Sequence, residues 1–463
     1  MSVSKKSISS ISGSISEKGA SLSITGVEED VKAGKKGLST GMTSFFLVAQ
    51  MAGAGFLALP RALADTGWFG IAMMTIFCVS VAFSGTRLGR CWTILEERYP
   101  EYSQPVRQPY MEIAYRSMGL AGRRAALASV VINLYGSTTV FIILISQMIS
   151  SRESVLSLCE LVLIVGFLII PLTWLGTPKD FWQASVLAVV STVVACVVII
   201  VQILLEAPNL PEPVFDNPTV SSFSLGFGAI LFSFGGSAVF PTIQNDMQDR
   251  TQFWKSVVVG FAATNPFSQR FSLPLSRTVI LSLYVPVASV GYSILGQDVE
   301  SNILLSVPKG VAVNIAIILE IINLLSTFII SFNPVAQSLE DILNVPNKFC
   351  LKRVLLRSSM VMLQMLICLA VPDFGLILNL IGGSCITLCT FVFPPIMYIR
   401  LMDMEGEPSW PKRKLPLWER VYLIEILIVG VVGGICSTVS AVIAILDPAG
   451  FQKNCFVNFF DLF

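Results

Sequence analysis

Two short glycine-centred segments carry most of the chemistry in this sequence. One reads Gln50-Met51-Ala52-Gly53-Ala54-Gly55-Phe56-Leu57-Ala58-Leu59-Pro60, and the other Phe232-Ser233-Phe234-Gly235-Gly236-Ser237-Ala238-Val239-Phe240-Pro241. In each, a glycine stands five residues before a proline, and an aspartate follows that proline by five more, at Asp65 and Asp246. Both segments sit inside long apolar runs, where a backbone N–H or C=O cannot be left bare in hydrocarbon. An unwound stretch there frees main-chain groups for a ligand. Helix N-termini attract an anionic group such as a carboxylate, and freed carbonyls accept from an ammonium or coordinate a cation. Together they suit a zwitterion, an amino acid. The amides around Ala52, Gly53, Ala54 and Gly55 are the candidates for its carboxylate. The carbonyls around Phe232, Ser233 and Phe234 are the candidates for its ammonium. The plainer reading is that these glycines only let helices pack closely. The matched positions in two places weigh against it.

A few side chains add to this set. Glu320 falls near the middle of an apolar span, where an ionisable group is costly and is a functional hypothesis by default. Its carboxyl is a candidate proton carrier, against the alternative of a neutral group bonded to a neighbouring helix. Ser326 and Thr327 lie deeper in the same span, with hydroxyls able to contribute to an oxygen cage for a hard cation. Such hydroxyls more often bond their own helix. Tyr135, mid-span, carries a hydroxyl that could touch a substrate or simply pack. Asp246 and Asp249 read as solvated helix-end charges, and Arg61 with Asp65 as a candidate outer gate pair.

The elements that must position these groups are membrane spans. Of the 463 residues 54% are hydrophobic and only 13% charged, about half the charged share of a soluble domain. Many uncharged stretches reach the roughly 20 residues needed to cross the hydrocarbon core. The pattern predicts an all-α polytopic protein with about eleven spans, near 40–62, 67–89, 126–149, 156–175, 182–205, 223–243, 256–295, 310–334, 354–372, 374–399 and 421–446. The seventh is interrupted at about 264–278, where Asn265-Pro266, Arg270, Pro274 and Arg277 intervene. That stretch reads as an unusual loop or a misread exon junction. Residues 1–36, rich in Ser, Lys and Gly, read as a disordered tail and not as a signal peptide. Residues 447–463 form a short C-terminal tail.

Lys/Arg asymmetry sets the expected orientation. With the N-terminus in the cytosol, 25 of the 31 basic residues fall on that side. Arg61, Arg152, Lys309 and Lys453 fall on the other, and Arg270 and Arg277 lie in the interruption. An odd number of spans then places the C-terminus outside or in a lumen, of the plasma membrane or of an endolysosomal or vesicular membrane. The long 90–125 connection contains Tyr110-Met111-Glu112-Ile113-Ala114, which reads either as a short helix at the membrane surface or as a plain loop. A net charge of +1 suggests no nucleic-acid partner. The ten cysteines show no metal spacing. Cys159 and Cys455 are the two expected on the non-cytosolic side, and a disulfide between them is open. With no histidine in the chain, zinc sites of the HExxH type and Ser-His hydrolases are excluded. No metal, no cofactor and no enzymatic activity are expected.

In these motifs the sequence resembles the amino acid/auxin permease family of amino acid transporters. The glycine-rich break ending in Leu57-Ala58-Leu59-Pro60 is followed by Gly67-Trp68. The second break runs on as Phe240-Pro241-Thr242-Ile243-Gln244-Asn245-Asp246-Met247. Tyr284-Val285-Pro286 with Gly291-Tyr292, Asn333-Pro334 and Pro372-Asp373-Phe374-Gly375 complete the pattern. The resemblance covers about residues 38–446. It implies a LeuT-like fold of two inverted five-helix repeats with broken helices one and six, plus an eleventh helix. It also implies amino acid transport by alternating access, coupled to H+ or Na+. An amino acid sensor on the same fold is the alternative. Two departures stand out: Ser237 occupies a position where many members have histidine, which excludes a histidine proton relay, and span seven carries the insertion.

Overall fold

The computed structural model describes residues 37–261 and 279–447 together with Cys455, apart from positions 52, 105, 153–155, 175–181, 347–349, 407, 409 and 412. The expected N-terminal tail, the insertion at 264–278 and nearly all of the C-terminal tail therefore lie outside the described residues. What is described is helical. The first span is split into α1 (Thr40–Met51) and α2 (Gly55–Thr66), bent by 53°. It is followed by α3 (Phe69–Arg98), α4 (Pro109–Ser150), α5 (Leu158–Thr173) and α6 (Trp182–Glu206). The sixth span is split into α7 (Val220–Ser233) and α8 (Phe240–Asn245). Helices α9 (Phe253–Phe261) and α10 (Val279–Leu295) flank the seventh-span insertion. Then come α11 (Val311–Ile342), α12 (Leu351–Ala370), α13 (Phe374–Asp403) and α14 (Leu417–Leu446).

Nine of these stretches are long and apolar enough to cross a bilayer, and the bent α1–α2 pair makes a tenth. Helix α5, with 16 residues, is the shorter apolar helix that corresponds to the fourth expected span. Sequence-local devices set the helix ends. Ser157 and Glu160 close a reciprocal capping box at the start of α5, as Thr219 and Ser222 do at α7. Asp373 accepts the Leu376 N–H at 3.1 Å to begin α13. The apolar residues that remain exposed follow the bilayer rule: Ile424, Ile428, Val432, Ile435, Val439 and Ile443 of α14 face outward, a stripe that lipid covers.

The 90–125 connection resolves the choice left open by sequence. Tyr110 to Ala114 are helical, the first turns of α4, and Gly119 at φ 74° breaks them from the rest of that helix. They are not lying on the surface: Tyr110, Met111, Ile113 and Ala114 are buried.

Helices α5, α11 and α12 are tied by a buried ionic cluster. Glu340 Oε1 accepts from Arg357 Nε at 2.7 Å and from Arg353 Nε at 3.1 Å. Arg357 also donates to the Thr173 carbonyl at 2.6 Å and to Asn333 Oδ1 at 3.0 Å. Arg357 and Glu340 side chains are each 1% exposed, so each needs the other. Arg357→Ala is expected to lower stability by about 3 kcal/mol, because it removes the fully buried partner of the Glu340 carboxylate and leaves it only Arg353. A fall in the thermal midpoint of the detergent-solubilised protein measures it. An unchanged midpoint would show the cluster to be ornamental.

Cys159 and Cys455 form a disulfide, with Cα atoms 5.7 Å apart. The other eight cysteines are free. Under denaturing conditions, maleimide labelling is expected to modify eight cysteines before reduction and ten after it.

Candidate functional site

The two breaks lie against each other. Gly55 opens α2 and Ser233 closes α7, and the chains approach so closely that a Cβ on Gly55 would fall 2.4 Å from the Ser233 Cα. Only glycine fits there. Ser233 Oγ uses the proximity: it lies 2.8 Å from the Gly55 carbonyl and 3.0 Å from that of Ala229 on its own helix. Farther along the same interface, a Cβ on Gly226 would meet Thr66 and the Ala62 carbonyl. The glycines thus serve close packing at the breaks.

A tyrosine joins both breaks from outside. Tyr284 of α10 is fully buried. Its hydroxyl oxygen lies 2.8 Å from the Met51 carbonyl, the end of α1, and 3.1 Å from the Ser233 carbonyl, the end of α7. One hydroxyl proton is shared between two helix ends. The ring also packs on Phe234, with centroids 5.6 Å apart. Sequence reasoning noted Tyr284 only as part of a motif and gave it no role.

The expected substrate-binding residues divide accordingly. Gly53, Ala54, Gly55, Phe232, Ser233 and Phe234 are all buried at the paired breaks; Ala52 lies outside the described residues. The Phe232 carbonyl accepts from the Gly235 N–H at 2.9 Å, and that of Ser233 from Tyr284. The Phe232 oxygen is also reached by the Phe234 N–H, whereas that of Ser233 keeps a second lone pair for an incoming donor. At Gly53 a methyl would make ordinary contact: the atom within 4 Å of a built Cβ is Phe141 Cζ, at 4.0 Å. Tyr135 does not join the breaks. Its hydroxyl donates to the Met360 carbonyl of α12 at 2.7 Å, which fastens α4 to α12.

Glu320 is fully buried. One carboxyl oxygen accepts from Asn323 Nδ2 at 3.2 Å, and that amide also reaches Thr192 Oγ1 of α6 at 3.3 Å. The other, Oε2, has no hydrogen-bond partner among the described residues. The carboxyl lies within electrostatic reach of Tyr284. Thr327 donates to the Asn323 carbonyl at 2.9 Å and so borders this cluster, whereas Ser326 bonds back to Ile322 on its own helix. Among the described residues no group of three or more acidic or cysteine side chains is placed to hold a metal ion. Arg61 and Asp65 do pair, at 3.3 Å, and Arg61 donates to the Gln297 and Val299 carbonyls beyond α10.

Ser237, at the end of the second break, bonds to α13. It pairs with Thr390 Oγ1 at 2.6 Å and reaches the Cys389 carbonyl at 3.2 Å. Here α13 carries two π-helical turns, Gly382–Ile386 and Leu388–Val392. Such turns misalign the main-chain ladder and cluster at functional sites. Hydroxyls from other elements take up the slack: Tyr110 on the Cys389 carbonyl at 2.9 Å and Ser84 on the Thr390 carbonyl at 2.6 Å.

Comparison with known proteins follows this geometry. The family described as transmembrane amino acid transporter protein matches residues 36–443. Amino acid transporter AVT1D of Arabidopsis thaliana is 26% identical over 412 residues, covering 85% of this chain and 67% of its own. AVT1J of the same plant is 24% identical, covering 86% and 90%. Two solved structures share the LeuT-like fold. MhsT in complex with L-phenylalanine has a TM-score of 0.51 at 11% identity, covering 86% of this chain and 98% of its own. The Eremococcus coleocola manganese transporter has 0.54 at 13%, covering 90% and 89%.

Substitutions at the breaks separate packing from binding. Gly55→Ala is expected to abolish folding, since its methyl meets backbone. Gly53→Ala is expected to fold normally, because its methyl makes only ordinary contact with Phe141, yet to weaken amino acid uptake at least several-fold by crowding the main-chain groups at the break. Thermal midpoints and uptake for both variants check this. A Gly53→Ala protein with unaltered uptake would remove Gly53 from the site.

Proposed function

The chain belongs to the transmembrane amino acid transporter protein family, and on that footing we propose that it is a secondary active transporter that carries amino acids by alternating access. The observation that carries the reading is the pairing of the two broken spans. Their main-chain groups meet in a buried centre, where Gly53 is contacted only lightly by Phe141 and the Ser233 carbonyl keeps a lone pair beside its bond from Tyr284. The α-carboxylate would be received by the amides at the start of α2, and the ammonium by carbonyls at the end of α7. These groups recognise what all amino acids share. Phe141, whose ring edge faces Gly53, offers an apolar surface to a side chain.

Alternating access requires the paired breaks to hinge, and Tyr284 is the group whose hydrogen bonds would rearrange as they do. Coupling is assigned to protons. Glu320 supports this reading, because its buried Oε2 has room in its bonding for a proton and its neighbour Tyr284 contacts both helix ends.

The test is uptake into proteoliposomes under imposed gradients. Wild type is expected to accumulate amino acid when a pH gradient is applied, without sodium. Glu320→Gln is expected to keep counterflow exchange and to lose most of the pH-driven accumulation. An unchanged response to pH in the variant would rule out Glu320 as the proton site. Binding without any counterflow in wild type would instead identify a sensor. Tyr284→Phe, which removes only the hydroxyl, is expected to slow exchange several-fold and to lower the thermal midpoint modestly, because two buried carbonyls lose a donor. Equal exchange rates would show that the bridge between the breaks has no part in the cycle.

A further inference from the structure

Away from the broken spans, one cavity is lined by cations. It lies where the C-terminal ends of α3 and α13 meet the segment leading into α14. Its volume is about 260 Å³, and its lining includes Arg90, Tyr398 and Arg413. Arg413 pairs with Glu97 through Nη2. Its Nη1 is buried with no hydrogen-bond partner among the described residues. Arg90 is exposed. It meets the hydroxyl of Tyr398, and no carboxylate is paired with it among the described residues. Among the described residues, two guanidinium groups therefore share one cavity against a single paired carboxylate, Glu97.

The depth of this cavity follows from its aromatic neighbours. Trp418, at the start of α14, is 63% exposed and packs on Phe83 of α3, with ring centroids 6.3 Å apart. Exposed tryptophan at a span end marks the membrane interface. Arg90 follows Phe83 by two helical turns, about 10 Å along the axis toward the aqueous end. The headgroup layer lies just outside a hydrocarbon core about 30 Å thick. The arginines therefore stand at headgroup level, while the flank beside Trp418 and Leu417 faces the acyl chains.

We infer that this cavity binds the phosphate-bearing headgroup of an anionic phospholipid, with Arg90 and Arg413 as the phosphate ligands. Guanidinium groups bond phosphate oxygens in a planar fork, and basic pockets between membrane helices at this depth receive such headgroups. The Nη1 of Arg413 gains the acceptor it lacks. Arg90 supplies the second charge. A bound headgroup would clamp the ends of α3 and α13 to the segment that carries Arg413.

The experiment is native mass spectrometry of the purified full-length protein in detergent. The probes are dioleoyl phosphatidylinositol 4-phosphate, dioleoyl phosphatidylcholine, free inositol 1,4-bisphosphate and inorganic phosphate. The phosphoinositide is expected to bind at least ten-fold more tightly than phosphatidylcholine or either soluble phosphate. Arg90→Gln and Arg413→Gln are each expected to lower its binding about ten-fold. Arg124→Gln, at an exposed arginine of α4 outside the cavity, is expected to leave it unchanged. Arg90→Gln breaks no ion pair among the described residues, so it keeps the test sound should Arg413→Gln disturb the fold by freeing Glu97. Equal binding of phosphatidylcholine overturns the proposal, as does an Arg124→Gln loss matching that of Arg90→Gln. Soluble inositol phosphate binding as tightly as the lipid would assign the cavity to a soluble phosphate instead.

Discussion

Everything in this molecule is arranged around main-chain hydrogen bonds that hydrocarbon cannot satisfy. Two helices are interrupted near the centre of the bundle, and each interruption exposes carbonyls and amides. The interruptions tolerate burial because they face each other. Ser233 reaches across to Gly55, and Tyr284 reaches the carbonyls of Met51 and Ser233 from a third helix. The same device recurs in α13, where hydroxyls of Tyr110, Ser84 and Ser237 meet carbonyls loosened by π-helical turns. Hydroxyl groups stand in for water wherever the backbone departs from the α-helix.

This constraint also explains which parts were legible in the sequence. Glycine and proline inside an apolar run are conspicuous because they need a local reason, so Gly53, Gly55, Gly235 and Gly236 pointed directly to the breaks. Glu320 was conspicuous for the same reason: a carboxyl in an uncharged span is an expensive exception. Tyr284 was not, since a tyrosine in an apolar helix reads as packing, and its partners are main-chain groups far away in the sequence. Tyr135 was misplaced because spacing gives a helix its length but not its rotation. Its hydroxyl turns to α12 instead of to the breaks. The π-helical turns of α13 had no compositional mark beyond Gly382-Gly383, because a five-residue hydrogen-bond step uses the same residues as a four-residue one.

The structure also separates its polar interior by chemistry. The breaks are held by neutral bonds between hydroxyls and carbonyls, each cheap to exchange for another partner. The α5–α11–α12 region is held by Glu340, Arg353 and Arg357, where losing one partner strands a charge. Glu320 belongs to the same long helix as Glu340 yet, among the described residues, has only Asn323 as a side-chain neighbour in hydrogen-bond contact. One helix thus carries one carboxyl locked by arginines and another whose second oxygen is unengaged. The first suits a fixed frame, and the second a group that changes state.

The disulfide between Cys159 and Cys455 spans 296 positions of sequence, and so closes most of the chain into a covalent ring. Every helix from α5 to α14 lies within it. A cut in any connection inside that ring opens the circle without releasing a fragment, so a nicked molecule still travels as one chain until a reductant acts. In an oxidising compartment the ring makes the molecule topologically indifferent to a single proteolytic event over two thirds of its length, while the segment before Cys159, which includes the first break, has no such insurance.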